Sequence, residues 1–253
     1  MVANRYADGR VFLCGDAAHI WIPMGGFGMN AGVEDAVNLS WKLAATLAGW
    51  ATPQILDSYA AERRSIGQLV ADSAAKIFAD LYRIPVQDPL YEADGAAADQ
   101  HRAEIGRAIT AHNVAEFDSI GMQLGVTYTE SPIICYDGAS APPFAIDRYI
   151  ESSRPGVRAP HLWRRSGKAL FDDFGLGYTL LRIGAGAPAG FTISDAFAAR
   201  GVPLKVLAID EPEALRKYDG YPLVLIRPDQ HVAWRSHHLP ANANPLIDVL
   251  TAA

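Results

Sequence analysis

The sequence predicts an α/β protein in two parts, a mainly helical first part and a smaller α/β domain after it. Helical spacing of apolar residues dominates residues 32–123, whereas short strands and helices alternate after residue 170. Between them lies a stretch rich in Pro, Gly and Ser with little helical periodicity. We therefore expect a first domain over 1–130, a connector over 131–157 and a second domain over 158–253.

Composition limits the classes of function open to the chain. It has 253 residues, is 50% hydrophobic and carries a net charge of −6 with acids and bases intermixed, which argues against a nucleic-acid partner. No apolar run approaches the roughly 18 residues of a membrane helix, so no membrane partner is expected. The two cysteines, Cys14 and Cys135, are far apart and suggest neither a disulfide nor a metal site. A cytoplasmic protein acting on a small molecule is the expectation.

The first part should begin with a buried strand over 10–14, followed by a loop and an amphipathic helix from Gly32 to about Gly49. The residues expected on the buried face of that helix are Val33, Val37, Trp41, Ala44 and Leu47. Thr52-Pro53 is a helix-start pattern, and it predicts a long helix to about Tyr82. Two more helices are expected over 95–123.

The second part has the element order of a thioredoxin-like domain. Strands are predicted at Tyr178–Ile183 and Leu204–Ile209, and a hairpin follows. The hairpin strands are Leu223–Ile226 and His231–Trp234, and the intervening and final helices are Ser194–Ala199, Glu211–Tyr218 and Asn244–Leu250. Because no cysteine follows Cys135, thiol–disulfide chemistry is excluded from this domain.

A glycine-rich loop, MGGFGMNAG at 24–32, runs into the first long helix. Unpaired N–H groups and the dipole at a helix N-terminus favour negative charge, and Glu34 and Asp35 are expected in the first turn for the same reason. Taken alone, the loop could equally be a flexible turn. Asp16 likewise has two readings: an ordinary turn acid, or a carboxylate that accepts a hydrogen bond from a ligand hydroxyl.

Residues 10–43 together form a long and specific pattern that resembles the second FAD-binding motif of the single-component (group A) flavoprotein aromatic hydroxylases. The matching residues are Arg10, Gly15-Asp16-Ala17-Ala18-His19, Pro23, Gly26, Gly28, Met29-Asn30, Gly32, Asp35-Ala36, Asn38-Leu39 and Trp41-Lys42-Leu43. Similar features continue at Leu56–Tyr59, Glu62-Arg63-Arg64, Leu124-Gly125, Ser131-Pro132, Arg154-Pro155-Gly156, Ala159-Pro160-His161 and 225–235. The resemblance covers nearly the whole chain and is closest to the phenol and polyketide hydroxylases.

The resemblance implies a FAD site built from the loop. Gly15 and Asp16 would contact the ribityl or pyrophosphate side of FAD, and Pro23 would lie beside the reactive edge of the isoalloxazine. Around the helix N-terminus, the cofactor-binding residues would be Gly26, Gly28, Met29 and Asn30. Their backbone would meet the pyrimidine edge of the flavin. Phe27 and Trp21-Ile22 depart from the usual motif, which has Gln and a second Pro at these places.

The other half of the site has no counterpart in the sequence. A strand–GxGxxG–helix unit for the ADP part of FAD and the family's Asp-Gly motif are both absent. The chain therefore resembles the C-terminal part of a glutathione-reductase-like FAD domain plus its following domain, shortened in the cell or in the laboratory. The strand over 11–14 would lack its neighbours, so we expect a homodimer, a required partner or partial disorder over 1–35.

As a full-length protein, the resembled enzyme would hydroxylate a small phenolic aromatic substrate using FAD, NAD(P)H and O2. The helices over 75–125 could line the substrate pocket. No catalytic side chain can be assigned with this half alone, and the chain by itself is expected to bind FAD weakly and to be inactive. The alternative is a non-catalytic half-protein that acts as an interaction or oligomerisation module.

Overall fold

A computed structural model describes residues 1–83 and 88–253, without the side chain of residue 115. The first part is helical after a short hairpin. Its strands are β1 (Ala7–Asp8) and β2 (Val11–Phe12), and its helices are α1 (Phe27–Leu47), α2 (Asp57–Leu81), α3 (Ala96–Phe117) and α4 (Ile120–Leu124). The long helix after Pro53 and the two helices within 95–123 are thus confirmed, with a 3-10 turn over Pro53–Leu56 before α2.

The prediction of a buried strand over 10–14 was wrong in length and environment. Only Val11 and Phe12 are extended in a ladder, and they pair antiparallel with Asp8 and Ala7. Val11 is 65% exposed. A strand is buried on both faces only where other elements cover both faces of its sheet, and this two-residue antiparallel ladder is too small to be covered in that way.

Helix α1 begins five residues earlier than predicted, so most of the glycine loop belongs to it. Gly26 is the N-cap residue with φ +66°, and Phe27 is the first helical residue. The Phe27 side chain is 5% exposed and packs against Ile66, Val70 and Met122. Burial of this aromatic ring anchors the first turn and outweighs the low helix propensity of Gly28. Glu34 and Asp35 consequently lie two turns inside the helix, which corrects the prediction of a first-turn position.

The buried face of α1 also differs from the predicted one. Of the five apolar residues expected inside, only Trp41 is buried, while Val33, Val37 and Leu47 are 56%, 47% and 86% exposed. The buried side chains of α1 are Phe27, Ala31, Asp35, Asn38, Trp41, Lys42 and Ala45. Three of these are polar. They can be buried because α2 supplies a hydrogen-bonding partner for each of them, Arg63 for Asp35 and Glu62 for Asn38 and Lys42.

The second part is a four-stranded mixed sheet with helices packed against it. Its elements are β3 (Tyr178–Ile183), α5 (Phe191–Ala199), β4 (Leu204–Ile209), α6 (Ala214–Lys217), β5 (Leu223–Ile226), β6 (Val232–Ser236) and α7 (Asn244–Thr251). The strand order is β4-β3-β5-β6, with β3 parallel to β4 and antiparallel to β5, and β5 antiparallel to β6. The predicted strands at Tyr178–Ile183, Leu204–Ile209 and Leu223–Ile226 are confirmed to the residue. The central strands β3 and β5 are almost entirely buried, whereas β4 lies at the edge of the sheet and is largely exposed.

Two apolar clusters flank this sheet. Leu181, Val224 and Ile226 contribute to the cluster on one side, and Leu180 and Leu225 contribute to the cluster on the other. The second cluster includes Leu246, Ile247 and Leu250 of α7 and touches Trp50, just after α1. The sheet is therefore packed directly onto the helical part.

Among the helices that the structure describes, none is both long enough and apolar enough to cross a membrane.

Candidate functional site

An open depression with a volume of about 380 Å³ lies at the N-terminus of α1. The residues lining it are Asp16, His19, Ile20, Trp21, Pro23, Gly26, Gly28 and Met29. Five of them, Asp16, Pro23, Gly26, Gly28 and Met29, are among the seven cofactor-binding residues that the sequence motif implied. The structure thus brings the far-separated parts of the motif to one place.

The other two predicted residues lie beside this depression. Gly15 is behind its wall, where its N–H donates to Asp35 Oδ2 at 3.1 Å and its α-carbon lies against Gly32. A Cβ on Gly32 would lie 3.2 Å from the Gly15 α-carbon, so α1 and the turn approach closely because both residues are glycines. Asn30 donates from Nδ2 to the Gly26 carbonyl at 3.2 Å and faces a smaller neighbouring cleft.

The backbone at this point fits a ligand edge rich in hydrogen-bond acceptors. Gly25 and Gly26 have φ of +73° and +66°, which turn the chain sharply into the helix. A Cβ at Gly26 would meet nothing within 4 Å, so the backbone faces open space there. The first four N–H groups of a helix have no partner within the helix and point along its axis. The pyrimidine edge of a flavin, with its carbonyl oxygens, is complementary to such an arrangement.

Asp16 lies in a single 3-10 turn over Gly15–Ala17, and its side chain is exposed to the depression. His19 is 3% exposed, and its Nε2 lies 2.7 Å from Asp35 Oδ2. The His19 ring stacks on Trp21, with 4.5 Å between ring centroids. His19 is therefore held as a structural residue of the wall. Its buried Nδ1 has no hydrogen-bond partner within residues 1–83 and 88–253, which leaves one polar atom of the wall unsatisfied.

Asp35 is the hub behind the depression. Besides His19 and the Gly15 N–H, it accepts a hydrogen bond from Arg63 Nε at 2.7 Å. Arg63 is 1% exposed and also donates to Glu34 at 3.0 Å and to the Tyr128 hydroxyl at 3.3 Å. Burial raises the pKa of Asp35, but His19 and Arg63 outweigh it and the pKa is lower than usual. The carboxylate therefore stays ionised.

A second buried polar cluster joins α1 and α2 to the turn between β5 and β6. Glu62 accepts hydrogen bonds from Arg227 at 2.5 and 2.8 Å, from Lys42 at 2.7 Å and from Asn38 at 2.6 Å. Arg227 also pairs with Asp229, at 2.5 Å. Two cations and two carboxylates thus balance within a fully buried cluster, which removes most of the cost of burying charge.

Charges in this cluster shift one another's pKa. Burial lowers the pKa of Lys42 to about 8, against the attraction of Glu62. Burial raises the pKa of the Glu62 carboxyl, but Arg227 and Lys42 act more strongly and hold this pKa well below its usual range. Burial also raises the pKa of the Asp229 carboxyl, but Arg227 and His231 act more strongly and hold this pKa well below its usual range. Both carboxylates therefore remain charged at all physiological pH values.

These shifts predict acid instability. A carboxyl whose pKa is lower in the folded than in the unfolded chain adds stability above its unfolded pKa, and this stability is lost as pH falls. The ordinary values are 4.5 for Glu62 and 3.8 for Asp35, so the free energy of unfolding should begin to fall near pH 4.5 and continue to fall below pH 3.8. Urea denaturation at a series of pH values measures this, and Glu62→Gln should show a shallower pH dependence than wild type. An equal slope in both would show that Glu62 does not carry the effect.

Sequence reasoning missed the polar network. It took Asp35 as a first-turn acid and did not connect it with Arg63, although Asp35 lies in the motif over 10–43 and Arg63 lies among the similar features that follow it. A usable signal was present, since Asp35, Asn38 and Lys42 recur at three- and four-residue steps and so share one helix face. Trp21 was noted only as a departure from the motif, and the structure places it in the wall of the depression.

Comparison with known families defines the class of protein, that of FAD-binding aromatic-ring hydroxylases. Residues 1–74 match the FAD binding domain family, and residues 152–253 match the aromatic-ring hydroxylase, C-terminal family.

Curated relatives of this chain include two monooxygenases. A FAD-dependent monooxygenase of Penicillium oxalicum is 33% identical over 233 residues, covering 89% of this chain and 44% of the relative. The 4-methyl-5-nitrocatechol 5-monooxygenase of Burkholderia sp is 34% identical over 267 residues, covering 99% of this chain and 45% of the relative. The chain thus spans less than half the length of these relatives.

Solved structures superpose closely. The rebeccamycin biosynthetic enzyme RebC with reduced flavin has a TM-score of 0.88 and 39% identity, covering 100% of this chain and 47% of that one. The flavin-dependent monooxygenase PieE, in complex with FAD and substrate, has a TM-score of 0.84 and 32% identity, covering 99% of this chain and 48% of that one. The chain belongs to the flavoprotein aromatic hydroxylases and corresponds to part of such an enzyme, as the sequence motif indicated. These comparisons do not favour the alternative of an interaction module.

Proposed function

We propose that this chain carries the isoalloxazine side of the active site of a FAD-dependent monooxygenase that hydroxylates small phenolic aromatic substrates, with NAD(P)H as reductant. The observation that carries the proposal is that five residues of the flavin motif, separated by up to 13 positions from Asp16 to Met29, line one depression at a helix N-terminus. When bound, the flavin supplies the redox chemistry with O2, and the protein supplies position and charge.

Each residue then has a role in holding the cofactor. The N–H groups of Gly28, Met29 and Asn30, in the first turn of α1, would donate to the pyrimidine edge of the flavin and stabilise negative charge there. Asp16, whose carboxylate faces the depression, would accept a hydrogen bond from a hydroxyl of the ribityl or pyrophosphate side. Pro23 would shield the reactive edge from water, and Gly26 would keep the approach open.

The domain organisation supports the same assignment. We place the partial FAD-binding domain at 1–130, its connector at 131–157 and the second domain at 158–253. The strand order β4-β3-β5-β6, with one parallel and two antiparallel pairings, supports a thioredoxin-like topology for the second domain. The first domain would belong to a glutathione-reductase-like FAD fold that the remainder of a longer enzyme completes.

The exposed apolar side of α1 supports the proposal that another polypeptide surface covers it. On α1, Met29, Val33 and Val37 recur every four residues and are 78%, 56% and 47% exposed. Water-exposed apolar residues grouped in this way mark association surfaces. We propose that the rest of a full-length enzyme covers them, and that the isolated chain forms a homodimer through them.

A visible absorption titration with FAD, followed near 450 nm alongside the mass in solution, tests the half-site. We expect a small change that does not saturate below about 100 µM, because the sequence has no strand–GxGxxG–helix unit to bind the ADP part of FAD. Asp16→Ala should reduce the change further. Saturable binding at low micromolar FAD by a monomer would contradict the half-site and would assign the complete cofactor site to this chain.

A further inference from the structure

Buried polar contacts run without a break from the wall of the depression to the sheet domain. At one end, the Asp35 carboxylate is hydrogen-bonded to the Gly15 N–H and to His19, and it forms an ion pair with Arg63. Arg63 Nη1 donates to the Tyr128 hydroxyl at 3.3 Å. Asn38 donates to the same hydroxyl at 3.3 Å and to Asp229 Oδ2 at 3.4 Å.

The far end of this chain of contacts belongs to the second domain. Asp229 lies in the turn between β5 and β6, where Arg227 Nε donates to it at 3.0 Å. The ring of His231, from the same turn, stacks on Tyr128 at 4.4 Å between centroids. Tyr128 therefore contacts both the residues that hold the depression and the residues that form the sheet's turn.

We propose that the C-terminal sheet domain positions the flavin-facing loop, residues 15–28, through the buried polar chain Asp229–Asn38–Tyr128–Arg63–Asp35. The inference rests on the proposed function for the claim that this loop faces flavin. It gives the second domain, which carries no thiol of its own, a role in the active site, with Tyr128 and Asp35 as positioning residues.

Burial makes this chain of contacts rigid. Asp35, Asn38, Arg63 and Tyr128 are at most 3% exposed, and Asp229 is 7% exposed. In such surroundings water cannot replace a lost partner, so each group is held in one arrangement. On the side away from this chain of contacts the loop is open to solvent, since Asp16, Pro23 and Gly26 are exposed. Its position therefore depends on the residues behind it.

Tyr128→Phe is the informative variant because it removes the bridging hydroxyl without leaving either donor alone. Arg63 Nη1 keeps Glu34 at 3.0 Å, and Asn38 Nδ2 keeps Glu62 at 2.6 Å. The fold should therefore survive the substitution. Tyr221→Phe is the matched control, since it makes the same chemical change in the sheet domain beside His237, away from the polar chain.

Amide hydrogen exchange of the full chain, followed by mass spectrometry without flavin, measures the coupling. We expect peptides covering 13–28 to exchange about threefold to tenfold faster in Tyr128→Phe, the effect of one net hydrogen bond, and to be unchanged in Tyr221→Phe. Asp229→Asn should also accelerate exchange in 13–28, and in the double variant the two effects should not add. Acceleration spread evenly over the chain, or none in 13–28 for either Tyr128→Phe or Asp229→Asn, would overturn the proposal. Since no flavin is present, failure here is distinct from failure of FAD binding.

Discussion

Replacing Arg227 by methionine should lower the free energy of unfolding by about 3–5 kcal/mol. Its guanidinium is fully buried and is bonded to both Glu62 and Asp229. Without it, two carboxylates would remain in the interior, and of the two cations in the cluster Lys42 would be left to pair with Glu62. Breaking a buried ion pair on one side costs more than the pair contributes, because the remaining charge is left desolvated and unpaired. Urea denaturation at pH 7 measures the loss.

Arg83→Met is the control for the loss of an arginine as such. Arg83 pairs with Asp80 at 3.0 Å, but its side chain is 80% exposed, so solvent already weakens the pair. Little change in stability is expected there. Equal losses in the two variants would contradict the idea that the buried cluster holds the helical part and the sheet domain together.

Replacing Gly156 by alanine should also lower the free energy of unfolding by a large amount. Gly156 has φ +99°, and a Cβ added to it would lie 2.1 Å from the backbone carbonyl oxygen of Tyr128. That backbone cannot move freely, since the Tyr128 N–H donates to the Gly156 carbonyl at 2.9 Å and the Gly156 N–H donates to Val232 at 2.8 Å. The strain and the clash together should cost about 3 kcal/mol or more.

Gly138→Ala separates the two contributions. Gly138 has φ +79°, but a Cβ there would meet nothing within 4 Å, so only the backbone strain remains. We expect Gly138→Ala to cost about 1 kcal/mol, and the difference between the two variants to measure the clash with Tyr128. Thermal or urea unfolding gives both values. If Gly156→Ala proved as stable as Gly138→Ala, the backbone around Tyr128 would have to shift at little cost in free energy to remove the clash.

The second domain was predictable because its strands carry their own signal. Tyr178–Ile183 is mainly apolar and Leu223–Ile226 is entirely apolar, and both are buried throughout or nearly so. In contrast, the face of α1 was not predictable from hydrophobicity. Its buried positions include Asn38 and Lys42, whose burial depends on Glu62, 20 or more residues away. The spacing of apolar residues indicates that a segment is helical, but it does not show which face finds hydrogen-bonding partners elsewhere in the protein.

The candidate site was predicted from its resemblance to a family motif, because the physical properties of the residues alone did not specify a flavin. Glycines before a helix suggested an anion-binding end, but only the longer pattern specified a flavin. The start of α1 was misplaced because Gly28 weakens a helix, while burial of Phe27 restores it. The helical spacing of Asp35, Asn38 and Lys42 indicated a polar face on α1, but it did not identify Arg63 and Gly15 as the partners of Asp35, because both are more than 15 residues away in sequence.

Amide chemical-shift mapping of FAD on the 15N-labelled chain tests whether residues 15–30 form the flavin-facing wall, because this measurement detects weak binding. Shifts should concentrate at Asp16 and at Gly26, Gly28, Met29 and Asn30, and Asp16→Ala should diminish them. Shifts centred on the sheet domain, or none in 15–30 at millimolar FAD, would contradict the assignment of this depression to the cofactor.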